Sequence, residues 1–234
     1  MSTVSSHQSI SPPSIIFLDA WHTLFTVREH GPRRTAIALD RLGVSTDEAS
    51  VIAALKTSGE RLRKLDLPFV ATSEMEREYF RTHYRFVLEE LAVEDGERLV
   101  DELMETASYV PYTVLYDDTR PALEGLRARG QRVGLLSNAF PSLLDALGHL
   151  GILDDLDPKV ISAFEGCEKP DPAIYRAALR VANVAPHDAI FVDDLPENVA
   201  AANSVGMRGI LVDRDNLHPT TGLRRIRALT ELLD

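Results

Sequence analysis

Four places along the 234-residue chain join a short apolar run to a polar, chemically capable terminus. Residues 15–18 lead into Asp19-Ala-Trp21-His22-Thr-Leu-Phe25, and residues 133–136 into Ser137-Asn138. Residues 160–163 precede a turn holding Glu168-Lys169-Pro170-Asp171, and residues 190–192 end in Asp193-Asp194. A carboxylate at the end of a buried strand is costly unless a cation or hydrogen-bond donors meet it. Three carboxylates, a lysine and a Ser-Asn pair brought together would form a site for Mg²⁺ and a phosphoryl group. Mg²⁺ takes oxygen ligands, and commonly only one or two carboxylates beside substrate phosphate. The lysine would neutralise phosphoryl oxygens while the serine hydroxyl and backbone amides donate to them. One aspartate could attack as a nucleophile, so that an aspartyl-phosphate splits a hard hydrolysis into two easier steps.

Such residues meet only if the apolar runs lie side by side. With residues 210–212 there are five runs, apolar and β-branched, which read as strands buried on both faces. Helical patterns separate the later ones. In the pattern from Arg120, Pro121 suits a first turn and Gly130 the position just past the end. In the next, Asp171 can cap, Pro172 can open the helix, and Ile174, Ala178 and Leu179 supply an inward stripe through Val181. This alternation predicts an α/β fold with a doubly wound, parallel, five-stranded sheet and helices on both sides. Ligands of such sheets bind beyond the carboxyl ends of the strands, where the polar termini fall.

Residues 28–115 carry no strand pattern but several amphipathic ones, predicting helices near 33–42, 46–65, 74–91 and 96–107. Ser45-Thr-Asp-Glu48 and Ser73-Glu-Met-Glu76 read as capping boxes. An insertion of this size predicts a helical cap over the sheet edge. The expected organisation is a disordered, Ser-rich tail over 1–14, an α/β core over 15–28 and 115–234, and a cap over 29–114.

Composition narrows the partners. Lys and Arg number 25 against 36 Asp and Glu, a net charge of −11, which disfavours a nucleic-acid surface. No apolar run approaches the ~20 residues that cross a bilayer, and the N-terminus lacks a basic start and an apolar core. A cytoplasmic protein without a membrane partner is expected. The single cysteine, Cys167, can form neither an intrachain disulfide nor a cysteine-built zinc site, and reads as a small buried residue.

The four termini, in this order, resemble the motifs of the haloacid dehalogenase-like (HAD) hydrolase superfamily. The first motif, Asp-x-Asp-x-Thr-Leu, is matched by Asp19-Ala-Trp21-His22-Thr23-Leu24 except at its second Asp. Ser137-Asn138, Lys169, and Asp193-Asp194 followed by Asn198 match the others, and the inserted helices resemble that superfamily's C1 cap. The resemblance implies a Mg²⁺-dependent phosphatase acting on a small phosphorylated or otherwise anionic metabolite. It implies Asp19 and Lys169 as catalytic residues, with Asp19 the nucleophile. Ser137, Asn138 and Lys169 would bind the phosphoryl group, and Mg²⁺ would be held by Asp19, Asp193, Asp194 and the main-chain carbonyl of Trp21.

Trp21 is the departure. It stands where family phosphatases have the Asp that protonates the leaving group and activates water, and indole can do neither. Losing that help costs ~10²–10⁴-fold in rate. Residues 19–25 also resemble the first motif of 2-haloacid dehalogenases, which read Asp-Ala-Tyr-Gly-Thr-Leu-Phe, need no metal and expel halide without a proton. The Asp193-Asp194 pair opposes that alternative, because two further negative charges repel a carboxylate substrate. A catalytically weak binding member is the third reading. Near the site, His22 is either a substitute proton carrier or a packed histidine, and Tyr175 either reaches the site or packs in the core. Arg33-Arg34 either receive an anionic substrate or carry surface charge.

Overall fold

The computed structural model describes residues 13–65, 67–94, 96–220 and 222–234. All but the last two positions of the expected N-terminal tail lie outside the described residues. The first strand, β1 (Ile15–Leu18), is buried along its whole length. Ile16 and Leu18 enter the apolar layer on one face and Ile15 and Phe17 the layer on the other, as the pleat requires. Next come β2 (Phe25–Val27), the helices α1 (Gly31–Arg41), α2 (Glu48–Arg63), α3 (Ser73–Glu90) and α4 (Gly96–Thr106), and β3 (Thr113–Leu115). Strand and helix then alternate through α5 (Thr119–Ala128), β4 (Val133–Ser137), α6 (Leu143–His149) and β5 (Lys159–Ile161). The chain continues with the one-turn α7 (Ser162–Glu165), α8 (Pro172–Ala182), β6 (Ala189–Asp193), α9 (Pro196–Ser204), β7 (Arg208–Val212) and β8 (Arg225–Ile226).

The main sheet is parallel in the order β5-β4-β1-β6-β7-β8. Leu18 lies opposite Leu135 of β4 on one side and Val192 of β6 on the other. The chain thus builds outward from β1 to β4 and β5, then returns across β1 to β6. Where that direction reverses, the connections leaving the strands diverge and open a crevice at the carboxyl ends. Helices α5 and α6 cover one face through Leu123, Leu126 and Leu147, and α8 and α9 cover the other through Ile174, Tyr175 and Ala202. Gly134 in β4 is dictated by its neighbour: a Cβ there would stand 2.8 Å from the Phe17 ring.

The α/β, doubly wound architecture agrees with the expectation, with four differences. The sheet has six strands, because the two-residue β8 is too short to show a pattern. The third run ends as a strand at Ile161, and Ser162 and Ala163 turn into α7. Val181 is 56% exposed, lying in the last turn of α8 at the edge of the buried stripe. β3, inside the stretch expected to hold no strand, pairs antiparallel with β2 and brings the two ends of the helical insertion together.

The insertion has its own apolar centre, with Leu39, Val51, Val87, Leu99 and Leu103 interleaved from all four helices. Neither expected capping box forms. Asp47 caps α2 by accepting from Ser50 N–H at 2.8 Å, and Thr72 caps α3 by accepting from Met75 N–H at 3.2 Å. Each box holds or adjoins a second cap-forming side chain, and backbone geometry selected that one. Glu76, freed from capping, is buried and crosses to the sheet domain, where its carboxylate accepts from Ser142 N–H at 2.8 Å and from the Ser142 hydroxyl. Burial, the larger influence, raises the Glu76 pKa against those bonds. Glu76→Ala should therefore lower stability by about 1–3 kcal/mol, read from urea unfolding, because it leaves the Ser142 N–H without a partner and the Ser142 hydroxyl with Tyr109 alone.

Candidate active site

Asp19 follows β1, Ser137 ends β4 and Asp193 ends β6, so three adjacent parallel strands deliver their polar ends to one spot. Lys169 arrives from the loop before α8. Its Nζ donates to Asp19 Oδ1 and to Asp193 Oδ2, each at 2.6 Å, and its side chain is 2% exposed. Ser137 Oγ donates to Asp19 Oδ1 at 3.1 Å. Asn138 clamps the lysine's main chain, accepting from Lys169 N–H at 2.7 Å and donating to its carbonyl at 2.8 Å. A lysine that reads in isolation as a solvated loop charge is thus held in the interior from both ends.

Asp193 is saturated by the protein. Besides Lys169, it accepts from Leu195 N–H at 2.8 Å and from Asn198 Nδ2 at 3.1 Å to each oxygen. The Tyr175 hydroxyl donates to the Asn198 carbonyl at 2.9 Å, and its ring packs edge-on against Phe191. Tyr175 therefore supports the site from the core. Asp19 Oδ2 and the Asp194 carboxylate, by contrast, accept no hydrogen bond from any other described residue.

The charges do not balance, since three carboxylates crowd one ammonium. Burial pushes Asp19 up to about 7, with Asp193 and Asp194 adding to the rise and Lys169 opposing it. Burial and Asp193 push Asp194 up to about 6. Burial would depress Lys169, but Asp19 and Asp193 outweigh it and hold the ammonium above its usual range. Surplus negative charge beside two open carboxylates suits a divalent cation. Among the described residues no group of three or more His, Cys, Asp or Glu side chains could hold a metal by itself. The donor set fits Mg²⁺, which keeps several waters and needs only one or two carboxylates.

Trp21 turns its ring into a cavity of about 700 Å³ lined also by Arg34, Phe69, Tyr79, Phe80, Tyr109 and Phe140. The indole packs 4.9 Å from the Phe25 ring and 5.2 Å from Tyr109. Asn138 and Glu168, neighbours of Ser137 and Lys169 in the chain, also line it. His22 is exposed at φ +58°, in the left-handed region that favours glycine, and donates its N–H to Phe25 O. Arg33 pairs with Glu29 and Glu48 outside the cavity, while Arg34 faces it. Cys167 is half-buried beside the layer that holds Tyr175. Tyr79, Phe80 and Glu76 escaped sequence reasoning, because on an amphipathic helix they resemble ordinary core and surface positions.

The model of the haloacid dehalogenase-like hydrolase family matches residues 16–206. The chain belongs to that family. This HAD-like hydrolase is 34% identical over 144 residues to "Phosphatase MT3486" of Mycobacterium tuberculosis, covering 61% of this chain and 66% of that protein. It is 27% identical over 203 residues to the ribulose-1,5-bisphosphate 5-phosphatase of Halopiger xanaduensis, covering 85% and 84%. The chain spans less than two thirds of the length of several relatives that it matches. Its fold superposes on the crystal structure of the defluorinating L-2-haloacid dehalogenase Rha0230 with a TM-score of 0.71 at 22% identity, covering 94% of each chain. At that identity the likeness is one of HAD fold. Among the described residues of this HAD-like chain, no helix is long and apolar enough to cross a membrane.

Proposed function

We propose that the chain is a Mg²⁺-dependent phosphatase that hydrolyses a small phosphorylated metabolite through an aspartyl-phosphate on Asp19. The observation that carries this reading is the buried Asp19–Lys169–Asp193 relay, with Ser137 on the same Asp19 oxygen and two carboxylates left open. Phosphatase-named relatives support the same reaction class.

Asp19 attacks phosphorus and the ester P–O bond breaks, moving the phosphoryl group onto the carboxylate while the departing alkoxide takes its proton from solvent, since Trp21 can supply none. Lys169 and Ser137 are placed to shift their hydrogen bonds from Asp19 to the phosphoryl oxygens as its charge is spent. Water then attacks the acyl phosphate, releasing inorganic phosphate and restoring Asp19. Asp193 and Asn198 keep Lys169 aimed, and Asn138 fixes its main chain. Mg²⁺, held by Asp19, Asp194 and the Trp21 carbonyl with Asp193 close behind, would neutralise the surplus charge and polarise the phosphoryl group. The helical insertion acts as the cap, excluding water and selecting substrate.

Trp21 favours one other enzymatic reading, a metal-independent 2-haloacid dehalogenase, in which the same Asp19 displaces halide from carbon. Incubation with phosphomonoesters and with 2-chloropropionate, each with Mg²⁺ and with chelator, separates the readings. Phosphate release that needs Mg²⁺ and disappears in Asp19→Asn is expected. Halide release in chelator would establish the dehalogenase instead, and neither product would leave a ligand-binding member of the family.

A further inference from the structure

Arg34 lines the cavity with two of its five N–H donors already engaged. Its Nε donates to Ala107 O at 2.7 Å and its Nη1 to Glu29 O at 3.0 Å, both main-chain carbonyls. Nη2 makes no hydrogen bond to a described residue, and no described carboxylate lies within ion-pair distance of the guanidinium. Arg63, at the end of α2, also lines the cavity but is exposed and donates to no carbonyl of a described residue, whereas Arg61 pairs with Glu89 and Glu90, Arg81 with Glu97 and Asp101, and Arg85 with Glu97. Burial depresses the Arg34 pKa, the sign of a charge short of solvent. A guanidinium oriented by two carbonyls beside the Tyr112 ring, lining an open cavity with Nη2 unbonded to any described residue, is prepared for an anion.

The rest of the lining says what that anion is attached to. It carries six aromatic rings, those of Trp21, Phe69, Tyr79, Phe80, Tyr109 and Phe140. The volume, about 700 Å³, is that of a site for a drug-sized molecule and far exceeds a three-carbon phosphate. The one carboxylate among the described lining residues, Glu168, adjoins Lys169 on the sheet side, so a second anion would find no like charge on the Arg34 side.

We propose that the cavity takes a phosphomonoester with a flat aromatic body and a second anionic group, the body stacking among these rings and the anion received by Arg34. The inference rests on the phosphatase reading for the phosphate end of the ligand. Trp21 is the chain's only tryptophan, so its emission reports on ring stacking in this cavity without turnover.

The test is a stopped-flow fluorescence titration with Mg²⁺, read before hydrolysis, using 4-carboxyphenyl phosphate, phenyl phosphate and glycerol 3-phosphate on the wild type, Arg34→Gln and Arg34→Lys. The wild type should bind the carboxylated aryl ester about 10- to 100-fold more tightly than phenyl phosphate, and glycerol 3-phosphate most weakly. Arg34→Gln should erase the advantage of the carboxylate and leave phenyl phosphate within about twofold, with Arg34→Lys between. Equal wild-type affinity for the two aryl esters, or tightest binding of glycerol 3-phosphate, would overturn the proposal even if Arg34→Gln failed to fold. Phosphate release measured in parallel with Mg²⁺ keeps the two readings apart. Selective binding without turnover sinks only the phosphatase, and turnover with no selectivity sinks only this proposal.

Discussion

Lys169→Met is expected to cost the folded protein about 3–5 kcal/mol at pH 8 in chelator, and to slow phosphate release by about 10²–10³-fold. Among the described residues Lys169 is the one cation hydrogen-bonded to Asp19 and Asp193, and it is buried with them. With it gone, burial, Asp193 and Asp194 all raise the Asp19 pKa with no ammonium to oppose them. Asp19 already stands near 7, so in the variant it is protonated at working pH and no longer attacks. The sign of the stability effect follows. A carboxyl whose folded pKa is raised holds a proton that the unfolded chain has released, so stability falls as pH climbs through the folded value. At pH 6 Asp19 is largely neutral in both proteins, so the penalty there is the smaller one, left by the lost hydrogen bond to buried Asp193. At pH 8 the wild type keeps an ion pair that the variant lacks. Urea unfolding at the two pH values measures this, and an equal penalty at both would mean that Lys169 does not neutralise Asp19.

The sheet was legible because parallel strands bury both faces and so appear as apolar runs, and because Asp19, Ser137 and Asp193 stand directly at their ends. What no run of residues records is contact between distant segments. Lys169 meets Asp19 across 150 positions of chain, so nothing local distinguishes it from a solvated loop lysine. Asn138 reads as a phosphate ligand, yet its side chain is spent on the Lys169 main chain. Arg33 and Arg34 are chemically identical neighbours, and only the helical phase of α1 sends one to Glu29 and Glu48 and the other to the cavity. The lining at Leu67, Pro68, Phe69 and Val70 lies between α2 and α3, where no periodicity marks an inward face. Local rules also failed where two satisfied the same segment, as when Asp47 rather than Ser45 took the cap of α2.

Trp21→Asp is expected to raise Mg²⁺-dependent phosphate release from an alkyl phosphate by about 10²–10⁴-fold, and from p-nitrophenyl phosphate far less. An alkoxide must be protonated as it leaves, whereas p-nitrophenolate departs unaided, so the gain should follow the basicity of the leaving group. The turn that carries position 21 is held by its backbone. His22 N–H donates to Phe25 O, and the amides of Leu24 and Phe25 donate to Ala20 O, so an Asp inherits the same placement two residues from Asp19. The exchange has costs. Phe25 and Tyr109 lose the ring that packs on them, for about 0.5–3 kcal/mol of stability, and ring-bearing substrates lose a stacking partner. A rise in kcat together with a rise in KM for aryl esters is therefore expected. A fourth carboxylate also joins three that already crowd one ammonium, so the gain should vanish in chelator. Equal acceleration of both ester types would show that proton transfer was not what Trp21 withholds. No acceleration in a folded variant would show that water or His22 already supplies the proton.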